Sequence, residues 1–439
     1  MALHPDSRRD SRTAAGTGGV YIHIPFCKTK CMYCDFYSVA NRESAMDRLV
    51  DCLLTEIRDA GISPPSWQID TLFIGGGTPS LLAPHHLEQL LTALDQAFGL
   101  SELVEFTLEA NPGEAPEDKL RAFRELGVNR LSMGFQSFDP GLLKFLGRLH
   151  DPAACFKTYA AARRAGFDNI NADLMFNIPG QSLEGWRGDL TTLADLEPEH
   201  ISAYSLTVEK GTELFRMVAA SEVTLPDEDQ DYRMYALTRE LLSRRGYVPY
   251  EVSNYAREGR ACQHNLHYWR IEPYLSFGPS AHSFDGFQRR WNVRNLDAYM
   301  DRIATGRSPV AGDEELSPNQ LYHEKLAFGL RLKEGLSVTE SLGYASPGAF
   351  ARQHGQLLNK WEGWLVLQGD RLQMTETGVF LTDTITADFF TEGPPEGSSD
   401  TGPHWDQRKI SLEQNSRSQA NVQGQERSVA QLPTHATTD

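Results

Sequence analysis

Cysteine is scarce in this chain, with six in 439 residues. That is too few for a disulfide scaffold, which crowds cysteines into a short secreted chain. No apolar run approaches the ~18 residues of a membrane-spanning helix. Positive charge is also in short supply. Lys and Arg total 42 against 59 Asp and Glu, a formal net charge of −17, whereas a general nucleic-acid binder needs a basic face. The first residues, MALHPDSRRDSRTAAGTGG, carry arginine but no apolar segment, so they do not read as a secretory signal. Residues 1–19 are expected to form a disordered leader. Residues 391–439, rich in Gln, Ser, Glu and Thr, have too few apolar side chains to build a core and are expected to form a disordered tail. The whole is 40% apolar and 23% charged, as in a globular protein, and is long enough for two folded units.

Three of the cysteines stand together. A β-rich run, Val20-Tyr21-Ile22-His23-Ile24, ends at Pro25-Phe26, and Cys27, Cys31 and Cys34 follow with C-x3-C-x2-C spacing. Three thiolates can hold three irons of a [4Fe–4S] cube and leave the fourth open to a small molecule. Structural zinc prefers four ligands in paired knuckles, and no second pair exists here. Cys52 and Cys155 fall in helical patterns and read as buried thiols.

Around this loop the chain alternates strand and helix. Apolar strand candidates lie at 20–25, 70–75, 105–110, 130–136, 169–178 and 200–208. Helical patterns occupy 46–60, 84–98, 116–126 and 152–165, several opening on Pro and stopping before Gly. This is the signature of βαβ units on a parallel sheet. Six units fall short of the eight of a closed barrel, so the expected fold class is α/β, an open (β/α)6 partial barrel. After residue 209 the alternation breaks. Residues 247–256 read as a strand, and Cys262 to Trp269, CQHNLHYW, as a loop carrying His and aromatic residues. From about 311 to 390 a helical domain with a small β-wing is expected, helix first.

These features resemble the radical S-adenosyl-L-methionine (SAM) superfamily, in which a cysteine loop with an aromatic (here Tyr33) before its last cysteine follows the first strand. The segment YIHIPFC resembles the branch that holds oxygen-independent coproporphyrinogen III oxidase and the related heme chaperones. The resemblance runs from about residue 20 to 388 and implies a barrel over 20–310 with a heme-site extension, then a winged-helix-like C-terminal domain over 311–390. It implies a [4Fe–4S] cluster on Cys27, Cys31 and Cys34 with SAM at the open iron. The SAM contacts it implies are Tyr21, the glycine turn with Gly76, Gly77 and Thr78, and Glu109, Gln136, Arg148 and Asp173 near strand ends. His264-Asn265-Leu266-His267-Tyr268-Trp269 is similar to an H-N-x-x-Y-W pattern linked to heme. His264 is the implied axial ligand, with His267 and Cys262 as alternates. The segment FGPSAHSFDG resembles a glycine-rich stretch carrying A-H-S, but with Pro279 or Ser280 where the family has another Gly. Asn177-Ile178-Pro179-Gly180 likewise stands for G-L-P-G.

Two functions share this resemblance. One is a cytoplasmic heme chaperone of porphyrin metabolism that binds the cluster, SAM and heme and passes heme to hemoproteins. Its partners would be heme and recipient hemoproteins, with room for peripheral membrane contact through recipients and for a homodimer, and no nucleic acid. The other is an enzyme, coproporphyrinogen III dehydrogenase, which uses a SAM-derived radical to decarboxylate propionates. That enzyme has a further cysteine where this chain has Phe36, so the chaperone without dehydrogenase activity is the preferred reading.

Overall fold

In the first strand, TGGVYIHI, Val20, Ile22 and Ile24 are β-branched side chains with no exposure, and they alternate with Gly19, Tyr21 and His23. The same alternation recurs on five further strands of a computed structural model of the chain, which describes residues 16–390. With β1 at Thr17–Ile24, these are β2 (Gln68–Gly76), β3 (Glu105–Ala110), β4 (Arg130–Gln136), β5 (Ile170–Phe176) and β6 (His200–Ser205). Each pairs in parallel with the next. The strand begins at Thr17, so the last residues of the expected leader belong to the barrel. The rest of that leader, and the expected tail from 391, lie outside the described residues.

The outward set, including Ile22, Leu72, Leu108, Met133, Leu174 and Ile201, joins one apolar core with Leu53, Leu90, Leu120 and Leu190 of the intervening helices. The inward set is polar: Thr71, Glu105, Thr107, Glu109, Arg130, Asn171, Asp173 and His200. Period-two alternation thus separates a helix-covered face from a polar lumen. Buried polar groups need partners, and here they find one another. Asn171 Nδ2 donates to Ser132 Oγ at 2.8 Å, and His200 Nδ1 meets Asn171 Oδ1 at 2.7 Å.

The sheet continues past both edges of the six. Tyr274–Phe277 runs parallel to β1, followed by antiparallel His282–Phe284, Gln288–Asn292 and Val310–Glu315. Beyond β6 the expected strand at 247–256 is instead a hairpin of Val248–Pro249 and Asn254–Ala256. The C-terminal segment has its own core of Tyr322, Leu326, Phe350, Leu372 and Phe389, around three short antiparallel strands. Its first helix, Pro318–Gly329, opens on a capping box of Ser317 and Gln320 with Pro318 in the first turn.

Candidate functional site

The cysteine loop is held at its root by backbone. Phe26–Cys27 pairs in parallel with Val39–Ala40, closing the loop between them. Gly77 N donates to Ile24 O and Thr78 N to Phe26 O, both at 2.8 Å, so the turn after β2 is laced to the chain after β1. A Cβ on Gly77 would stand 2.6 Å from the Phe26 carbonyl oxygen, so only glycine permits this approach. Cys27, Cys31 and Cys34 then line a cavity of about 460 Å³ together with Gly76, Gly77, Thr78 and Arg148.

All three are free thiols within reach of solvent. Burial pushes Cys27 upward and Cys34 up to about 11, with the neighbouring thiols adding to both. Crowded thiols of this kind lose their protons readily only to a cation, and thiolate is the soft ligand that iron–sulfur clusters use. Donors face the sulfurs: Thr78 Oγ1 is 3.7 Å from Cys27 Sγ, and Arg148 Nη1 is 3.6 Å from Cys31 Sγ. His150 also lines the cavity, but its Nε2 is bonded to Phe135 O at 3.1 Å. The donor set therefore fits a cluster with three protein ligands and one open corner.

Arg148 also donates to Asn111 Oδ1 at 2.5 Å and Gly134 O at 2.7 Å, and Asn111 Nδ2 reaches Thr78 Oγ1 at 2.8 Å. Asn111, two residues after Glu109 in EANP, ties the glycine turn to the arginine and is absent from the sequence-derived set. Its place just past a strand's C-terminal end was the available signal; an Asn before Pro reads first as a turn residue.

Glu109 Oε2 accepts from Gly76 N at 3.0 Å. Burial, then the carboxylate of Asp173, pushes Glu109 up to about 7. Asp173 is raised too, chiefly by burial, and accepts from Asn171 Nδ2 at 2.6 Å. Gln136 ends β4 at a bulge, with φ 69°, and its Nε2 lies where a Cβ on Gly134 would be, close to Arg148. Tyr21 lies beside Glu109 at the glycine turn: a Cβ on Gly75 would meet Tyr21 Cε2 at 3.0 Å and Glu109 Oε2 at 3.1 Å. Its ring stacks on Phe73 and its hydroxyl meets His23 Nδ1 at 3.0 Å. It lines a second cavity, of about 380 Å³, that shares no lining residue with the first.

The three heme candidates lie on one segment. The segment is a helix, Gln263–Arg270, rather than a loop. It packs at the N-terminal ends of the strands, beside Gly19, Thr71 and Glu105, whereas the cysteines follow the C-terminal end of β1. His264 is buried, with Nδ1 on Thr71 Oγ1 and Nε2 on Tyr268 OH, both at 2.9 Å. Burial lowers its pKa to about 3. Cys262 is fully buried and donates to Glu105 Oε1 at 3.3 Å. His267 lies between Asp70 Oδ1 at 2.8 Å and Glu272 Oε2 at 2.5 Å. Burial opposes its charge, but those two carboxylates outweigh burial and push it up to about 9. Each candidate would have to give up these partners to ligate iron.

Known proteins agree with the architecture. The Radical SAM superfamily signature matches residues 21–193, and the HemN C-terminal domain matches residues 316–381. The solved structure of Escherichia coli coproporphyrinogen III oxidase (HemN) superposes with TM-score 0.74 at 23% identity, covering 87% of this chain and 92% of its own, which shows the fold. The chain is 34% identical over 376 residues to heme chaperone HemW of Bacillus subtilis, spanning 85% of this chain and 99% of that protein. It is 36% identical over 370 residues to heme chaperone HemW of Mycobacterium tuberculosis, spanning 84% and 93%. It is 32% identical over 378 residues to radical S-adenosyl methionine domain-containing protein 1, mitochondrial, of Danio rerio, spanning 83% and 85%. Three thiols at the rim of a partial barrel, a HemN-type C-terminal domain and these full-length likenesses together place the chain in the HemW family of the radical SAM superfamily.

Proposed function

We propose that this protein is a heme chaperone that carries a [4Fe–4S] cluster and SAM. The observation that carries the reading is the shared cavity of Cys27, Cys31 and Cys34 with Gly76, Gly77, Thr78 and Arg148. The three cysteines would hold the cluster, which supplies an open iron for the amino-acid end of SAM. Arg148 would donate to the SAM carboxylate through Nη1, the nitrogen that faces the sulfurs, while Nη2 stays on Asn111 and Gly134. Glu109, Asp173 and Gln136 would receive its ammonium and ribose hydroxyls from the lumen. Tyr21, beside Glu109 and Gly75, would adjoin the same ligand from the second cavity. Heme would be the cargo and hemoproteins the recipients, as the names of the relatives suggest. A solvent-reachable iron–sulfur site would favour a reducing compartment, the cytoplasm.

Phe36, where the dehydrogenase has a cysteine, is 67% exposed beside the cluster loop, and supports the chaperone over the enzyme. The test is direct. Anaerobically reconstituted protein, given a reductant, SAM and coproporphyrinogen III, should yield no protoporphyrinogen IX, while the same preparation should bind heme with a Soret band. Turnover to protoporphyrinogen IX without heme binding would reverse the assignment.

A further inference from the structure

We propose that heme sits in the second cavity, with His282 as the axial ligand to iron and Arg294 as the partner of a propionate. This rests on the heme-carrying reading above and gives it a place.

Heme is a flat apolar macrocycle with two carboxylates on one edge and an iron that accepts imidazole. A seat needs flat walls, a cation at one edge and an imidazole with a free lone pair. The cavity of about 380 Å³ lies in the range of small-molecule sites and is walled by Tyr21, Tyr37, Tyr268 and Tyr274. Phe36 lines it as well and is 67% exposed.

Of the three histidines lining the two cavities, His23 and His150 are engaged. His23 bonds Tyr21 OH at 3.0 Å and Tyr37 O at 2.8 Å, and His150 bonds Phe135 O at 3.1 Å. His282 is exposed, and neither of its ring nitrogens has a hydrogen-bond partner among the described residues. Stacking on Trp291, with ring centroids 6.1 Å apart and planes at 26°, fixes its plane. Burial and then nearby Arg289 lower its pKa, which leaves a neutral imidazole available to a metal.

Arg294 supplies the cation. Its guanidinium lies over the Tyr37 ring at 5.8 Å and makes one long contact, 3.4 Å, to Asp35 O. It has no ion-pair partner among the described residues, so its fork is free for a carboxylate. The H-N-x-x-Y-W segment still contributes, through Tyr268, whose hydroxyl His264 holds at 2.9 Å. Asp35, Phe36 and Tyr37 directly follow Cys34, so one stretch of chain walls both cavities.

The test uses full-length protein with its cluster reconstituted, titrated with heme and with heme dimethyl ester. His282→Ala should displace the Soret band and weaken heme at least about tenfold, with iron and sulfide content unchanged. Arg294→Ala should weaken heme but leave the ester, which lacks free propionates, bound as in the unaltered protein. Unaltered protein that binds heme, with both variants matching it in Soret position and affinity, would overturn this placement and leave the chaperone reading standing. Unaltered protein that binds no heme would overturn both.

Discussion

Glu105 starts the helix that carries His264. Its carboxylate accepts from Gln263 N at 2.9 Å and His264 N at 3.1 Å, doing from another strand what an N-cap side chain does locally. The same carboxylate offsets fully buried Arg130 in the lumen. Glu105→Ala should leave two helix amides and a buried cation without it. We expect a loss of about 3–5 kcal/mol in urea unfolding, and a smaller one for Glu105→Gln, which keeps a carbonyl acceptor.

Arg148 has one job in the fold and another beside the sulfurs. Arg148→Ala removes charge-assisted bonds to Asn111 and Cys31, each worth about 1.5–3 kcal/mol. The expected result is SAM affinity lower by at least about tenfold and a cluster that bleaches faster in air. Isothermal titration and the decay of visible absorbance measure the two. Unchanged SAM affinity would remove Arg148 from the SAM contacts.

Glu109 gives a pH signature. Its folded pKa, about 7, lies above the ordinary 4.5. The proton is therefore held more tightly folded than unfolded. Below pH 4.5 the group costs nothing; between 4.5 and 7 stability falls as pH rises, and above 7 the full cost, on the order of 3 kcal/mol, is present. Glu109→Gln keeps an acceptor for Gly76 N and has no charge to bury. The variant without ligands should be more stable than the unaltered protein at pH 8 and no more stable at pH 4.5, by thermal unfolding. A variant less stable at pH 8 would contradict this.

Ser280 takes φ 62° and Asn177 φ 62°, the left-handed region that glycine occupies without a Cβ clash. Asn177 stands where the resemblance has the first Gly of G-L-P-G, and either Pro279 or Ser280 stands where it has another Gly. At Ser280 and Asn177 a side chain carries the strain of that conformation. Ser280→Gly should raise stability by about 0.5–1 kcal/mol, seen as a higher urea midpoint at unchanged slope. A fall in midpoint would show that the Ser280 side chain holds the turn.

The strands and the helices with Pro at their first turn were legible because their signals are local: alternation along β1 to β6, Pro84 and Pro152 at helix starts, Gly99 and Gly166 beyond helix ends. So was the cysteine loop, whose spacing is its own evidence. The helix Gln263–Arg270 was not. Cys262, its N-cap, makes no side-chain cap bond, and the cap comes from Glu105, distant in sequence. Nor was the placement of His264: strand number and order do not reveal which end of a barrel a later helix covers. Asn111 was hidden because its partners, Thr78 and Arg148, lie on other units.

The most direct measurement is the electron paramagnetic resonance spectrum of the dithionite-reduced protein before and after SAM. The account predicts a [4Fe–4S] signal that shifts when SAM reaches the open corner, and its loss when Cys27, Cys31 and Cys34 are all changed to Ala. A full signal in that triple variant, or a spectrum indifferent to SAM, would contradict it.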